Sequence, residues 1–326
     1  MDLSTKYLNL KLRNPVIVSA STLTSKLENI KKIAENGAGA IVLRSLFEEQ
    51  ITDEINSKME PEDMYFWYPE AADFVKDISK NQGAKPYLTL IEESRKHIDI
   101  PVIASINCIT SSEWTSFARQ IENAGANAIE LNISTLMPDK ENIDCHTVTE
   151  YAISILEAVK REVSIPVSVK INPVPSMQVA LTIKLEKSGA DGMVLFNRPY
   201  RPDININDLS VVTSNYLSSR EEMAESLRWI GILSQKTNID LAASTGIHNH
   251  EDVIKQLLAG ANATQICTTL YKNGIAYISD IINGLEKWME SHQFMSIEVF
   301  RGKAIQNQLS AIKFERVQFL EKNFKE

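Results

Sequence analysis

Gly125-Ala126-Asn127-Ala128-Ile129-Glu130-Leu131 is the stretch on which the reading of this chain turns. A helical segment ends there, a glycine supplies the left-handed cap that reverses the chain, and a short β-compatible run follows. The same form recurs as Gly37-Ala38-Gly39-Ala40-Ile41-Val42-Leu43, as Gly189-Ala190-Asp191-Gly192-Met193-Val194-Leu195 and as Gly260-Ala261-Asn262-Ala263-Thr264-Gln265-Ile266. A second form alternates with it: Asn14-Pro15-Val16-Ile17-Val18, Ile100-Pro101-Val102-Ile103-Ala104, Ile165-Pro166-Val167-Ser168-Val169 and Ile239-Asp240-Leu241-Ala242-Ala243. Proline at the first residue of a strand removes no ladder bond. Together the two forms give eight candidate strands.

Apolar residues at helical spacing fall between them, over 26–36, 111–124, 147–163, 176–188, 224–237, 251–259 and 275–292. Eight strands alternating with helices predict an α/β fold, a (β/α)8 TIM barrel occupying residues 1–326 as a single domain. The interval from Glu48 to Gln82 is an insertion after the second strand, and its run Tyr65-Phe66-Trp67-Tyr68-Pro69 is too aromatic for a plain linker. Past Arg301, Leu309, Ile312, Val317 and Leu320 mark a C-terminal helical tail packed on the barrel. A doubly wound open sheet is the competing architecture. It would ordinarily carry a glycine-rich turn after its first strand, where this chain has Ser19-Ala20-Ser21-Thr22-Leu23.

The 326 residues are 44% hydrophobic and 23% charged, which excludes disordered, collagen-like and coiled-coil chains. The formal net charge of −8 argues against a nucleic-acid partner. No apolar run approaches membrane-spanning length and the first residues lack the pattern of a signal peptide. Cys108, Cys145 and Cys267 are odd in number and far apart, so neither a disulfide framework nor a zinc site is expected. A cytoplasmic protein without a membrane partner is the expectation. His248 and His250 lack a third metal ligand, and no metal is expected.

In such a barrel the chemistry sits at the C-terminal ends of the strands. Taken in order, those ends carry Ala20-Ser21, Arg44-Ser45, Asn107, Asn132, Lys170, Asn197, Ser244-Thr245-Gly246 and Cys267-Thr268. The turns after strands seven and eight can present backbone N–H groups to a phosphate, or can simply be tight turns. Lys170 ends an otherwise buried strand, and a buried ammonium needs compensation. An anionic cofactor, a Schiff base at Lys170, or an ion pair with a carboxylate such as Glu130 would each account for it. The amides of Asn132 and Asn197 suit a flat heterocycle or, equally, turns. No pair of carboxylates and no hydrolase triad stands at these ends.

These strand ends resemble the soluble (class 1) dihydroorotate dehydrogenases, FMN-dependent barrels of pyrimidine synthesis. The resemblance is carried by Asn14-Pro15-Val16-Ile17 through Ala20-Ser21, Glu130-Leu131-Asn132-Ile133-Ser134, Pro166-Val167-Ser168-Val169-Lys170, Thr245-Gly246-Ile247, Leu257-Leu258-Ala259-Gly260-Ala261, Gln265-Ile266-Cys267-Thr268-Thr269-Leu270 and Ser296-Ile297-Glu298-Val299-Phe300-Arg301-Gly302-Lys303, in order along nearly the whole chain. It implies that Ala20, Ser21, Arg44, Ser45, Asn107 and Asn132 border FMN. Lys170 would lie by the flavin N1 and C2 carbonyl. Ser244, Thr245, Gly246, Cys267 and Thr268 would serve the cofactor's phosphate end, and Ser218 and Ser219 stand where the family has a glycine pair. Asn132, Ser134 and Asn197 would hold a small pyrimidine-like substrate. Hydride would leave to flavin N5 as a side chain removes a proton from the adjacent carbon.

Other places depart from the family pattern, among them Leu136-Met137, where the family has Pro-Asn. Thr135 stands where the family has its base, a cysteine or serine, and Arg44 replaces a lysine. The loop expected to recognise the orotate carboxylate is replaced by the aromatic run at 65–68 and Pro69-Glu70-Ala71. Catalysis is therefore expected from Thr135, Lys170 and Arg44, on dihydroorotate or a related reduced ring. Two other readings stay beside it: a flavin-binding member without dihydroorotate activity, and a flavin-free Schiff-base lyase. Fumarate, or a partner subunit relaying to NAD, would take the electrons, and the resemblance suggests a homodimer.

Overall fold

The computed structural model describes residues 1–47, 69–108, 111–133, 145–198, 201–214, 216–306 and 314–315. Thirteen strands appear among them: β1 (Thr5–Tyr7), β2 (Leu10–Leu12), β3 (Val16–Val18), β4 (Ala40–Val42), β5 (Leu46–Phe47), β6 (Val102–Asn107), β7 (Ala128–Asn132), β8 (Val167–Ile171), β9 (Gly192–Leu195), β10 (Arg201–Asn205), β11 (Ser210–Ser214), β12 (Asp240–Ser244) and β13 (Ala263–Ile266). The helices are α1 (Leu27–Glu35), α2 (Pro69–His97), α3 (Ser111–Asn123), α4 (Cys145–Glu162), α5 (Gln178–Lys187), α6 (Met223–Leu233), α7 (His250–Leu258), α8 (Thr268–Asn273), α9 (Tyr277–Ser291) and α10 (Ile297–Phe300).

Eight strands pair in parallel in the order β3, β4, β6, β7, β8, β9, β12, β13, and β13 pairs back onto β3 through Thr264 and Val16. The sheet is therefore a closed (β/α)8 barrel, as the repeat predicts, and the open-sheet alternative is excluded. Strand period two divides its residues between two cores. Ile17, Ala40, Val42, Ile103, Ala128, Val194, Ala242 and Ala263 face the bore, whereas Val16, Val18, Ile41, Leu43, Val102, Ile129, Leu131, Val167, Val169 and Met193 face the helices. The bore residues near the strand starts are small or β-branched. The antiparallel β1–β2 hairpin inserts Tyr7, Leu8 and Leu12 beneath them and seals that end. Leu8 N–H donates to Asp240 Oδ2 at 2.7 Å, and Thr5 Oγ1 donates to the Asn262 carbonyl at 3.0 Å.

The same parity continues upward. Two or four residues further along the same inward rows stand Ser19, Arg44, Glu130, Asn132, Lys170, Ser244 and Gln265, which line one cavity. The interior thus passes from apolar to polar along the barrel axis. The insertion after the second barrel strand contains β5, which pairs with β6 outside the ring, and α2 from Pro69 onward. The aromatic run at 65–68 lies outside the described residues. So does most of the expected tail: Phe314 and Glu315 are helical, and the Arg228 guanidinium donates to both of their carbonyls. A second hairpin, β10–β11, rises from the loop after β9.

Gly39 shows how tightly the first turn is built. Asn14 Nδ2 donates to the Gly37 carbonyl at 2.6 Å and its Oδ1 accepts Val16 N–H at 3.0 Å. A Cβ on Gly39 would lie 2.1 Å from the Asn14 carbonyl oxygen. Gly39→Ala is expected to cost about 3 kcal/mol through this backbone clash. A urea midpoint equal to that of the parent would show that the Asn14 turn yields freely.

Candidate active site

The cavity at the C-terminal end of the barrel has a volume of about 710 Å³. That falls within the usual range for small-molecule sites, about 300–1,000 Å³. Its floor is a polar layer drawn from four strands. Lys170 Nζ donates to Gln265 Oε1 at 3.1 Å and to Ser19 Oγ at 3.3 Å, and it faces Glu130 Oε1 at 3.4 Å. Gln265 Nε2 in turn donates to Glu130 Oε2 at 2.6 Å, and Ser19 Oγ donates to Gln265 Oε1 at 3.0 Å. Lys170 is 7% exposed, Ser19 5%, Gln265 2% and Glu130 1%, so a complete ion pair is buried across the bore. The Lys170–Glu130 contact is an ion pair, not a directed hydrogen bond, which leaves Glu130 Oε1 without a hydrogen-bond donor. Removing one partner of such a buried pair costs about 3–5 kcal/mol, because the other charge is stranded.

Three cations and one carboxylate line the cavity: Arg44, Lys170 and Arg198 against Glu130. Arg198 is neutralised from outside. Its Nε and Nη2 grip Glu222 at 2.8 and 3.2 Å, and its remaining N–H groups reach the Tyr216 and Leu217 carbonyls at 3.3 Å. This clasp fixes the loop that carries Ser218 onto the cavity rim. Arg44 has no hydrogen-bond or ion-pair partner among the described residues. A chain with net charge −8 thus holds an excess of positive charge in this barrel-mouth cavity. That is the electrostatics of an anion site.

The rim supplies matching donors. After β12, Thr245 and Gly246 take φ values of +76° and +74°, and a Cβ on Gly246 would lie 2.3 Å from the Met223 nitrogen. Only glycine fits where this turn meets the start of α6. The N–H groups of Gly246, Ile247 and Thr268 find no acceptor among the described residues. They line the same end of the cavity as Ser244 and Cys267. Burial pushes the Cys267 thiol up, against a smaller opposing pull from Ser21 and Lys170, so it stays protonated. Across the cavity, Asn197 Nδ2 donates to Asn132 Oδ1 at 2.5 Å, joining two strand ends into one amide surface.

The expected site residues sort as follows. Ala20, Ser21, Arg44, Ser45, Asn132, Lys170, Asn197, Ser218, Ser244, Thr245, Gly246, Cys267 and Thr268 all line this cavity. Asn107 stands behind it and donates through Nδ2 to the Asn132 carbonyl at 2.9 Å. Ser219 turns away, its N–H donating to Glu222 Oε1 at 2.8 Å in a helix cap. Ser134 and Thr135 lie outside the described residues. Sequence reasoning missed Ser19, Gln265, the Arg198–Glu222 clasp and the contact of Thr22 Oγ1 with the Tyr271 hydroxyl at 2.5 Å. Strand parity was the signal for Gln265: it shares the inward row of Ala263.

Comparison with known proteins bears on the same residues. The family model for dihydroorotate dehydrogenase matches residues 2–289. The chain belongs to the dihydroorotate dehydrogenase family. It is 27% identical over 310 residues to the catalytic subunit of dihydroorotate dehydrogenase B (NAD(+)) from Thermoplasma volcanium, covering 93% of this chain and 99% of the relative. The protein of the same name from Pyrococcus furiosus is 26% identical over 312 residues, covering 93% and 99%. That from Shouchella clausii is 31% identical over 203 residues, covering 61% and 66%. This dihydroorotate dehydrogenase family member is an oxidoreductase of the class acting on CH–CH bonds, and its family uses a flavin. Membership removes the flavin-free lyase reading, and the geometry agrees, because Lys170 is held by a carboxylate instead of standing as a free amine. Among the described residues no helix is long and apolar enough to cross a membrane.

His248 borders this end of the site and gives it a pH dependence. Its Nε2 meets Ser218 Oγ at 3.3 Å. Burial, aided by nearby Lys272 and opposed by Asp252, holds the imidazole below its usual 6.5. A histidine kept neutral by folding takes up its proton more readily when unfolded, so its contribution is present above pH 6.5 and is lost on acidification below it. The protein is expected to lose stability as pH falls below about 6.5. His248→Asn is expected to remove that component of the pH profile measured by thermal melting. An identical profile in the variant would assign the acid sensitivity elsewhere.

Proposed function

We propose that the cavity binds FMN and that the chain oxidises dihydroorotate to orotate, a step of pyrimidine synthesis in the cytoplasm. The observation that carries this reading is the donor set. Arg44, without a partner among the described residues, and Lys170 line the cavity together with the Thr245–Gly246 and Thr268 turns, whose backbone N–H groups find no acceptor among the described residues. An elongated ligand with a phosphate at one end and a ring that gains negative charge at the other satisfies both. FMN is such a ligand, and the residues present fit it. Bound there, FMN supplies the acceptor for the hydride that leaves the substrate.

The roles of the chain's own groups follow from that orientation. Gly246, Ile247 and Thr268 N–H groups hold the phosphate, with Ser218 and Ser244 beside them. Lys170 keeps a positive charge against the pyrimidine edge of the ring system, where negative charge develops. Two of its three N–H bonds are spent on Gln265 and Ser19, and the third has no directed acceptor among the described residues. Asn132 and Asn197 present a joined amide edge to the substrate's alternating N–H and C=O groups. Arg44, whose planar fork suits a carboxylate, binds the anionic substituent. Proton removal from the adjacent carbon falls to Thr135, and Ser134 is assigned to substrate binding. Electrons then pass to NAD through a partner subunit, a route suggested by relatives that carry the name catalytic subunit of a B (NAD(+)) enzyme.

An anaerobic titration of the purified protein with dihydroorotate tests the reading. A yellow protein whose visible absorbance bleaches stoichiometrically is expected. A yellow protein that stays oxidised would leave the cofactor in place and send the search to another reduced ring. Lys170→Ala is expected to slow flavin reduction by at least about 100-fold, the scale of losing one charge-stabilising donor. Thr135→Ser is expected to retain or raise the rate, and a large loss with FMN still bound would take the proton-acceptor role away from this position.

A further inference from the structure

Glu130 is the unexpected member of the polar floor. A carboxylate 1% exposed, one oxygen of which receives no hydrogen bond, sits in the bore of a site built to attract anions. It does nothing for an anionic ligand directly. Its effect runs through Gln265, whose amide bridges the two charges: the carbonyl end accepts from Lys170 at 3.1 Å and the NH₂ end donates to Glu130 Oε2 at 2.6 Å. Each end of the amide is chosen by the charge it faces, so Gln265 cannot turn over without setting donor against cation and acceptor against anion. The pair itself meets at 3.4 Å as an ion pair without a directed hydrogen bond. Lys170 is thereby held oriented and incompletely neutralised, with Ser19 as its other anchor at 3.3 Å.

We propose that Glu130 and Gln265 are positioning residues that set how strongly this site prefers the reduced, anionic flavin ring over the oxidised, neutral one. Glu130 offsets part of the Lys170 charge and so restrains that preference. Gln265 keeps the offset partial by bridging the carboxylate and the ammonium. The inference rests on the reading that the cavity binds FMN. It predicts changes of opposite sign when the two residues are altered, which general damage to the barrel would not produce.

The experiment compares the affinities of the FMN-free protein for oxidised and two-electron-reduced FMN, under anaerobic conditions at pH 7, by flavin fluorescence. In Glu130→Gln the carboxylate charge is gone and the shape is kept. The ratio of reduced to oxidised affinity is expected to rise about tenfold, equivalent to about +30 mV in the two-electron potential. Glu130→Asp, which keeps the charge, is expected to stay within about threefold of the parent. In Gln265→Met the bridge loses its polar atoms, Lys170 and Glu130 close on one another, and the ratio is expected to fall several-fold. If the Glu130→Gln protein does not fold, the fall in Gln265→Met carries the test alone. Equal ratios in the parent and every folded variant, or shifts of one common sign, would overturn the inference while leaving FMN binding intact. Failure of the parent to bind FMN at all would overturn the cofactor reading and this inference with it.

Discussion

A lysine ammonium buried inside a barrel must be answered by charge and by hydrogen bonds, and the way Lys170 is answered organises the upper half of this molecule. Its partners come from β7, from β13 and from the residue just beyond β3, strands that stand on different sides of the bore. Such contacts are available only if the ring is closed and the register of each strand is correct. A slip of one residue in β8 would turn Lys170 into the packed layer between sheet and helices and bring Val169 into the bore. The polar floor and the barrel register therefore specify each other. The same layer separates an apolar lower bore, plugged by Tyr7, Leu8 and Leu12, from a cavity whose free groups are cationic or N–H donors. One buried charge pair thus marks the boundary between the part of the barrel that stabilises and the part that acts.

Much of this was legible beforehand, and for a definite reason. The eight barrel strands obey two repeated local rules, a glycine that reverses the chain after a helix and a proline or polar residue that opens a strand. Each rule is enforced within a few residues. Gly37, Gly125, Gly189 and Gly260 all take positive φ, as the helix-ending reading requires. Once the strands were placed, period two directed Arg44, Asn132 and Lys170 inward without further information. The elements that escaped are those whose signals are non-local or atypical. The β1–β2 turn puts Leu8 and Asn9 at φ +53° and +58°, and leucine is a rare occupant of that region. The β10–β11 turn likewise uses Leu209 at φ +58°. α2 carries Pro86 inside it, which breaks the helical pattern.

The candidate site divides in the same way. Residues at strand ends could be enumerated, because the fold class says where the chemistry sits. Groups that act through a second residue could not. The grip of Arg198 on Glu222 joins a strand end to a loop 24 positions away, and nothing in either residue's neighbourhood announces the other. Gln265 was counted among the apolar run of its strand, although its parity placed it in the bore. Asn107, named among the cofactor residues, also supports the Asn132 backbone through a hydrogen bond to its carbonyl. In each case the missing information was a distance between strands that are remote in sequence.

The closure of the ring also sets an order of events as the chain is made. β3 is made long before β13; it has β4 on one flank, but its other flank is completed only by β13. The β1–β2 plug likewise leans on Asp240 and Asn262. Until those residues emerge, the first strand carries an open apolar edge and the hairpin has no bore to fill. Slow loop closure of this span makes the nascent barrel dependent on staying unaggregated for most of its synthesis. The prolines and charges around its early strands, Pro15 and Arg13 among them, stand where such an edge needs guarding.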